Sequence, residues 1–135
     1  MRARTLLILI GLGVAGCGGG TNDGNDPPAD VPRSDTFSML SQTQAAALCD
    51  YINKTNGGYG ASMTCANGDV ESNDDNQADC VASAAPIGVY CPTFTVGQAE
   101  DCATAVGLTL CNLETAAACA PFRDCLTAVA GATSP

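Results

Sequence analysis

Four stretches of the chain repeat apolar residues at i, i+3, i+4 and i+7, the spacing of one helix face, and each puts a cysteine on that face. The first face is Ala45, Leu48, Cys49 and Ile52; Ser41 with Gln44 three residues on is a capping-box start, and Gly57-Gly58 is a stop. The second runs from Ala78 to Ala85, turns Cys80 and Val81 inward, and is closed by Pro86. Polar residues 72–75, Ser-Asn-Asp-Asp, are suited to cap its N-terminus, where negative side chains are favoured. The third face is Ala99, Cys102, Ala103 and Val106, opened by Thr95 with Gln98 and ended by Gly107. The fourth is Phe122, Cys125, Leu126 and Val129, with Pro121 in the first turn and Gly131 just past the end.

Between the first two helices, Gly57-Gly58-Tyr59-Gly60 needs a permissive backbone and Asn67-Gly68-Asp69 is a turn signal; a short irregular strand over Ala61 to Cys65 fits between them. The pattern predicts a mainly α fold, a small disulfide-rich bundle of about four short helices joined by long irregular connections. The later helices also resemble one another. Asp101-Cys102-Ala103-Thr104-Ala105-Val106 parallels Asp124-Cys125-Leu126-Thr127-Ala128-Val129, and Cys80, Cys102 and Cys125 follow at intervals of 22 and 23 residues, which raises an internal repeat as an expectation.

The N-terminal pattern is different. Arg2 and Arg4 precede an uncharged apolar run from Leu6 to Val14, shorter than the about 20 residues that span a bilayer, so residues 1–16 read as an export signal. Val14-Ala15-Gly16-Cys17 resembles the bacterial lipobox, with Val at a position where Leu is usual, and the resemblance implies that Cys17 is lipidated and becomes the mature N-terminus. Several acyl chains on one residue make a lasting anchor where a single chain does not. Gly18, rather than the Asp that retains such proteins in the inner membrane, points to the outer membrane. Residues 17–36 are then a lipidated start followed by a Gly, Pro and Asp-rich tether with only Ala29 and Val31 to bury. A tether of that kind gives Asp23, Asn25 and Asp26 no rigid support for holding a metal. The folded unit is expected at 37–131 and a short tail at 132–135.

Composition changes this picture in two ways. The unit has no Trp and few other aromatics, so its core is small and cross-links are expected to support it. Nine cysteines are available; with Cys17 acylated, the other eight, Cys49, Cys65, Cys80, Cys91, Cys102, Cys111, Cys119 and Cys125, can all pair, which implies an oxidising compartment. They allow 105 connectivities, and bridges from a helix to the segment folding back over it are compatible with the spacing. The same spacing disfavours zinc or iron–sulfur binding. The chain has no histidine, and its closest cysteines, Cys119 and Cys125, have five residues between them.

Charge and side-chain chemistry exclude more than they assign. Arg33, Lys54 and Arg123 face fourteen acids in the mature chain, so nucleic acid is not an expected partner and the membrane is engaged only through the acyl chains on Cys17. Asp69, Glu71 and Asn73 are spaced like the start of an EF-hand loop, but Asp74 stands where Gly is required and Cys80 where Glu is required. No histidine base is present, Ser62 lacks the glycine two residues on that a nucleophile elbow needs, and paired cysteines are not nucleophiles; no catalytic residue, cofactor or metal is expected.

The stretch from Leu48 to Cys125, with Cys49-Asp50-Tyr51, Gly57-Gly58-Tyr59-Gly60, Thr64-Cys65 and Thr95-Val96-Gly97, resembles a broad group of small cysteine-rich lipoproteins of Gram-negative soil bacteria. That resemblance implies location and disulfides and carries no activity. The expected function is therefore that of a non-catalytic outer-membrane or cell-surface lipoprotein displaying a rigid disulfide-bonded domain for binding, adhesion or envelope structure. The alternative is a secreted-type effector or hydrolase inhibitor on the same scaffold, with Gly57, Gly58, Tyr59 and Gly60 as the loop offered to an unidentified protein partner.

Overall fold

A computed structural model describes residues 26–133; the export signal, Cys17 and the first part of the expected tether lie outside the described residues. Four helices, α1 (Gln42–Thr55), α2 (Gln77–Tyr90), α3 (Val96–Val106) and α4 (Ala120–Thr133), pack with a two-stranded hairpin, β1 (Ser62–Thr64) and β2 (Val70–Ser72). Short 3₁₀ turns at Phe37–Met39, Leu110–Glu114 and Ala117–Cys119 fill the connections. The fold is mainly helical and disulfide-rich, as the periodicity predicts.

Local chemistry accounts for the helix starts. Ser41 and Gln44 exchange side-chain and backbone hydrogen bonds at the head of α1, and Thr95 and Gln98 do the same at α3, so both capping boxes form. The cap of α2 is Asn76, whose Oδ1 accepts from the Asp79 N–H, not a residue of the 72–75 stretch. Those residues are committed elsewhere. Ser72 ends β2, whose register with β1 pairs Ser62 with Ser72, Met63 with Glu71 and Thr64 with Val70, and Asn73 donates to the Asn56 and Gly58 carbonyls. The expected single strand is thus half of a hairpin.

Pro86 does not close α2; the helix continues one turn beyond it to Tyr90. Proline leaves the Ala82 carbonyl without its helical donor, but Ala82 is exposed and water can serve it, while the added turn buries Ile87 and Cys91 with Phe94, Ala99 and Cys125. In the same way α4 runs through Gly131 to Thr133, and its Leu126, expected inward, is 42% exposed because the face is centred on Cys125. The chain's three phenylalanines form one row, with ring centroids of Phe37 and Phe94 5.4 Å apart and of Phe94 and Phe122 5.8 Å apart. The scarce aromatic bulk is concentrated where α2, α3 and α4 meet.

The largest departure from expectation is the N-terminal boundary. From Pro28 onward the supposed tether is a strap laid on the domain: Val31 is 4% exposed and packs with Leu48, Tyr51 and Val96. Its carbonyls at Arg33 and Asp35 accept the N–H groups of Gly97 and Val96, two of the donors that the first turn of α3 leaves without helical partners. The approach is close enough that a Cβ on Gly97 would lie 3.0 Å from the Arg33 carbonyl oxygen. A Pro and Asp-rich composition signals disorder when nothing is available to bury; here one valine and two backbone acceptors find sites prepared by α1 and α3.

All eight cysteines in the described residues pair, as Cys49–Cys80, Cys65–Cys111, Cys91–Cys125 and Cys102–Cys119. Cys102–Cys119 joins α3 to the segment folding back over it, while Cys49–Cys80 joins α1 directly to α2 and Cys91–Cys125 joins the end of α2 to α4. Cys80, Cys102 and Cys125, equivalent in the expected repeat, therefore have three different kinds of partner, and the sequence likeness does not extend to the connections. Such cross-linking belongs to an oxidising, extracytoplasmic setting.

Candidate functional site

The helices do not close completely on one another. Between α1, α2, α3, α4 and the hairpin lies a cavity of about 360 Å³, partly open to solvent. Native cores leave few voids larger than a water molecule, whereas small-molecule pockets begin at about 300 Å³. Leu48, Ile52, Ile87, Ala103, Val106 and Leu113 give its apolar wall. Small side chains create the space: Ala45, Ala84, Ala99 and Ala103 stand on helix faces where larger residues would fill it. Of the lining residues, Ser72 of β2, Ser83 of α2 and Leu126 of α4 are exposed.

One end of the cavity is polar. Asn56, at the C-terminus of α1, donates from Nδ2 to the Ala103 and Gly107 carbonyls, at 2.9 and 2.8 Å, tying α1 to the end of α3. Asn73 donates to Asn56 and Gly58, and Ser83 donates to Asp74. Asn53, 3% exposed and one turn before Asn56, donates from Nδ2 to the Cys49 carbonyl at 3.1 Å, and its Oδ1 accepts nothing. Because a carbonyl can only accept, this contact places the amide nitrogen on Cys49 and leaves the oxygen as the unpaired atom.

The loop expected to meet a partner is tied to the domain by hydrogen bonds, with Gly57 and Gly60 exposed and Gly58 and Tyr59 half-buried. Gly58 adopts φ +98°, and its N–H donates to Asn53 while its carbonyl accepts from Asn73; the Gly60 N–H donates to Asp74. Tyr59 is half-buried and its hydroxyl donates to Asp50 at 2.7 Å, the same carboxylate that accepts from Gln77 of α2. Burial, then the hydrogen bond to Asp50 and the charges of Asp50 and Asp74, push the Tyr59 phenol above its ordinary range. Gly57, Gly58, Tyr59 and Gly60 thus join α1, α2 and the hairpin. The candidate calcium residues are likewise spread along the hairpin, with Asp69 bonded to Asn67, and among the described residues no cluster of three or more acidic or cysteine side chains could hold a metal ion.

A second buried polar group lies under the strap. Glu100 is 1% exposed, its Oε2 accepts from Arg33 at 2.6 Å, and its Oε1 is unpaired; Arg33 also pairs with exposed Asp101. Desolvation raises the Glu100 carboxyl above the usual range against the opposing pull of Arg33, with Asp101 adding to the rise. The folded chain then binds that proton more tightly than the unfolded chain. The stabilisation is complete below the unfolded value of about 4.3 and is lost as pH rises through the folded value. Glu100→Gln is expected to flatten urea-derived stability against pH from about 4.3 upward relative to the parent. An unchanged slope would remove Glu100 from that linkage.

Periodicity located Leu48, Ile52, Ala99, Ala103 and Val106, which line the cavity, without indicating a cavity. Asn53, Asn56 and Glu100 were missed, since a polar residue on an otherwise apolar helix face is the sole sequence signal they carry. The class of protein is accordingly defined by architecture: a small helical domain held by four disulfides around a partly open apolar cavity. No protein-family model, curated protein or solved structure matches the chain.

Proposed function

We propose that the protein is a non-catalytic lipoprotein, anchored in the outer membrane by acyl chains on Cys17, whose rigid disulfide-bonded domain serves binding, adhesion or envelope structure. The observation that carries this reading is the complete pairing of the other eight cysteines, which leaves Cys17 as the one cysteine without a disulfide partner within the sequence. Its place at the end of the lipobox-like Val14-Ala15-Gly16 supplies the reason for an unpaired cysteine in an oxidising compartment. Among the described residues no helix is long and apolar enough to cross a membrane, so those residues supply no helical alternative to the acyl anchor. The alternative, an effector or hydrolase inhibitor, would use the Gly57–Gly60 loop, which stays partly exposed while internal hydrogen bonds fix its shape.

Intact mass of protein from its native membrane tests the proposal. The expected mass corresponds to cleavage before Cys17, acyl chains on Cys17, and eight cysteine hydrogens missing. In parallel, Cys17→Ser is expected to move the protein from the detergent fraction to the soluble extracytoplasmic fraction. An unacylated Cys17, or a Cys17→Ser chain that still needs detergent for release, overturns the anchor.

A further inference from the structure

We infer that the cavity is a binding site for an uncharged, wholly apolar compound the size of two fused rings, and that it excludes an anionic compound of the same shape. This goes beyond the anchoring proposal and does not depend on it. Size follows from volume: about 150 Å³ of apolar space admits benzene, so a space of about 360 Å³ admits a molecule roughly twice as large. The contacts come from apolar lining residues that keep accessible surface, Ile52, Ala84, Leu113, Phe122 and Leu126, and not from fully enclosed groups. An apolar molecule among them leaves water and restores the dispersion contacts that facing walls lose across an open space. The space also resists collapse. Cys49, Cys80 and Cys102 in its lining are fixed by the Cys49–Cys80 and Cys102–Cys119 bridges, so little reorganisation opposes entry.

Charge sets the selectivity. None of the lining residues is cationic, whereas Glu71 and Asp74, both half-buried, are carboxylates. Met63 stands directly opposite Glu71 in the hairpin, so the two side chains share a face, and Met63 packs on the cluster of Cys102, Val106 and Leu110. The Glu71 side chain is therefore on the domain side of the hairpin. Asp74 accepts from Ser83, another lining residue, at 3.0 Å. An anion entering here brings a like charge beside two carboxylates in a partly desolvated space, with no lining cation to offset it, and an uncharged molecule meets no such cost.

The test uses the full oxidised chain carrying Cys17→Ser, exported and purified without detergent, so that no surfactant occupies the cavity and the outcome is independent of acylation. The chain has no Trp, so naphthalene fluorescence can be followed directly. 1-Methylnaphthalene and 1-naphthoate share a ring system and differ in one charged group. The first is expected to bind saturably at one equivalent, and the second at least about tenfold more weakly. Desolvation alone disfavours a carboxylate, so the part due to the lining acids is read from two further measurements. Glu71→Gln is expected to narrow the gap between the two compounds by about threefold, and raised ionic strength to narrow it in the parent. Ala84→Leu, which fills the cavity from α2, is expected to weaken 1-methylnaphthalene at least about tenfold. Non-reducing mass and helical circular dichroism verify that each variant retains four disulfides and its fold. Where a variant does not, the parent's comparison of the two compounds and its salt dependence decide. The inference is overturned by a parent without saturable binding or with 1-naphthoate bound as tightly as 1-methylnaphthalene. A gap that neither Glu71→Gln nor salt alters, or a folded Ala84→Leu chain that binds like the parent, overturns it equally.

Discussion

Replacing Cys102 and Cys119 together by alanine is expected to cost about 5 kcal/mol, more than removal of the longer-looped Cys65–Cys111 bridge and a large share of the roughly 5 to 15 kcal/mol that holds a typical domain folded. Loop length alone ranks the bridges differently. Cys65–Cys111 encloses a separation of 46 residues and Cys102–Cys119 only 17, for which chain entropy gives about 4 and about 3 kcal/mol. Burial reverses the order. Cys119 is fully buried and Cys102 is 5% exposed, in a cluster with Val106 and Leu110, whereas Cys65 and Cys111 are half-buried at the hairpin and a 3₁₀ turn. Removing two enclosed sulfurs adds a cavity term of about 1 kcal/mol each to the lost cross-link. Urea unfolding of the two double-alanine chains decides the matter: if the Cys65/Cys111 pair proves the more damaging, loop closure outweighs packing in this domain.

Val31→Asp is expected to release the strap, with a loss of about 2 to 3 kcal/mol from a buried valine transferred to water. The cost has a ceiling, because a strap that carries a buried charge can leave the surface and regain its chain entropy. Release should be visible beyond stability. The amides of Val96 and Gly97 lose their acceptors at Asp35 and Arg33 and should exchange with solvent faster, and Glu100 loses its cationic partner. Trypsin cleavage after Arg33 should accelerate by about thirtyfold, the change in open population that 2 kcal/mol represents. An equal cleavage rate in parent and variant would mean that the strap is already undocked in solution.

Both expectations concern features whose parts are visible in the sequence while their assembly is not. The capping boxes at Ser41–Gln44 and Thr95–Gln98 are readable because both partners sit within four residues and the hydrogen bonds are dictated by backbone geometry. The inward faces of α1 and α3 follow similarly from helical period, and eight cysteines in an aromatic-poor domain imply disulfides. Pro86 and Gly131 show the limit of such rules. Each is a local stop signal, and each is overridden at a helix whose further turn has tertiary contacts or tolerates a weak residue at modest cost. Composition misled at the strap for a related reason: it measures how much a segment can bury and says nothing of whether a site elsewhere is shaped for the one residue it offers.

What the amino-acid order settles, then, is the set of elements: four amphipathic helices with a cysteine on each inner face, the turns between them, and an acidic surface with too little aromatic bulk to dispense with cross-links. These depend on neighbours within a turn or two, so periodicity and capping chemistry suffice. The pairing of the cysteines, the docking of Val31 and Arg33 on α1 and α3, the hydrogen bond from Tyr59 to Asp50, and the cavity beside Asn53 were decided only when separate segments of the chain met. A cavity is the clearest case, since it is made by side chains that fail to fill a space, and that space does not exist until the helices have packed around it.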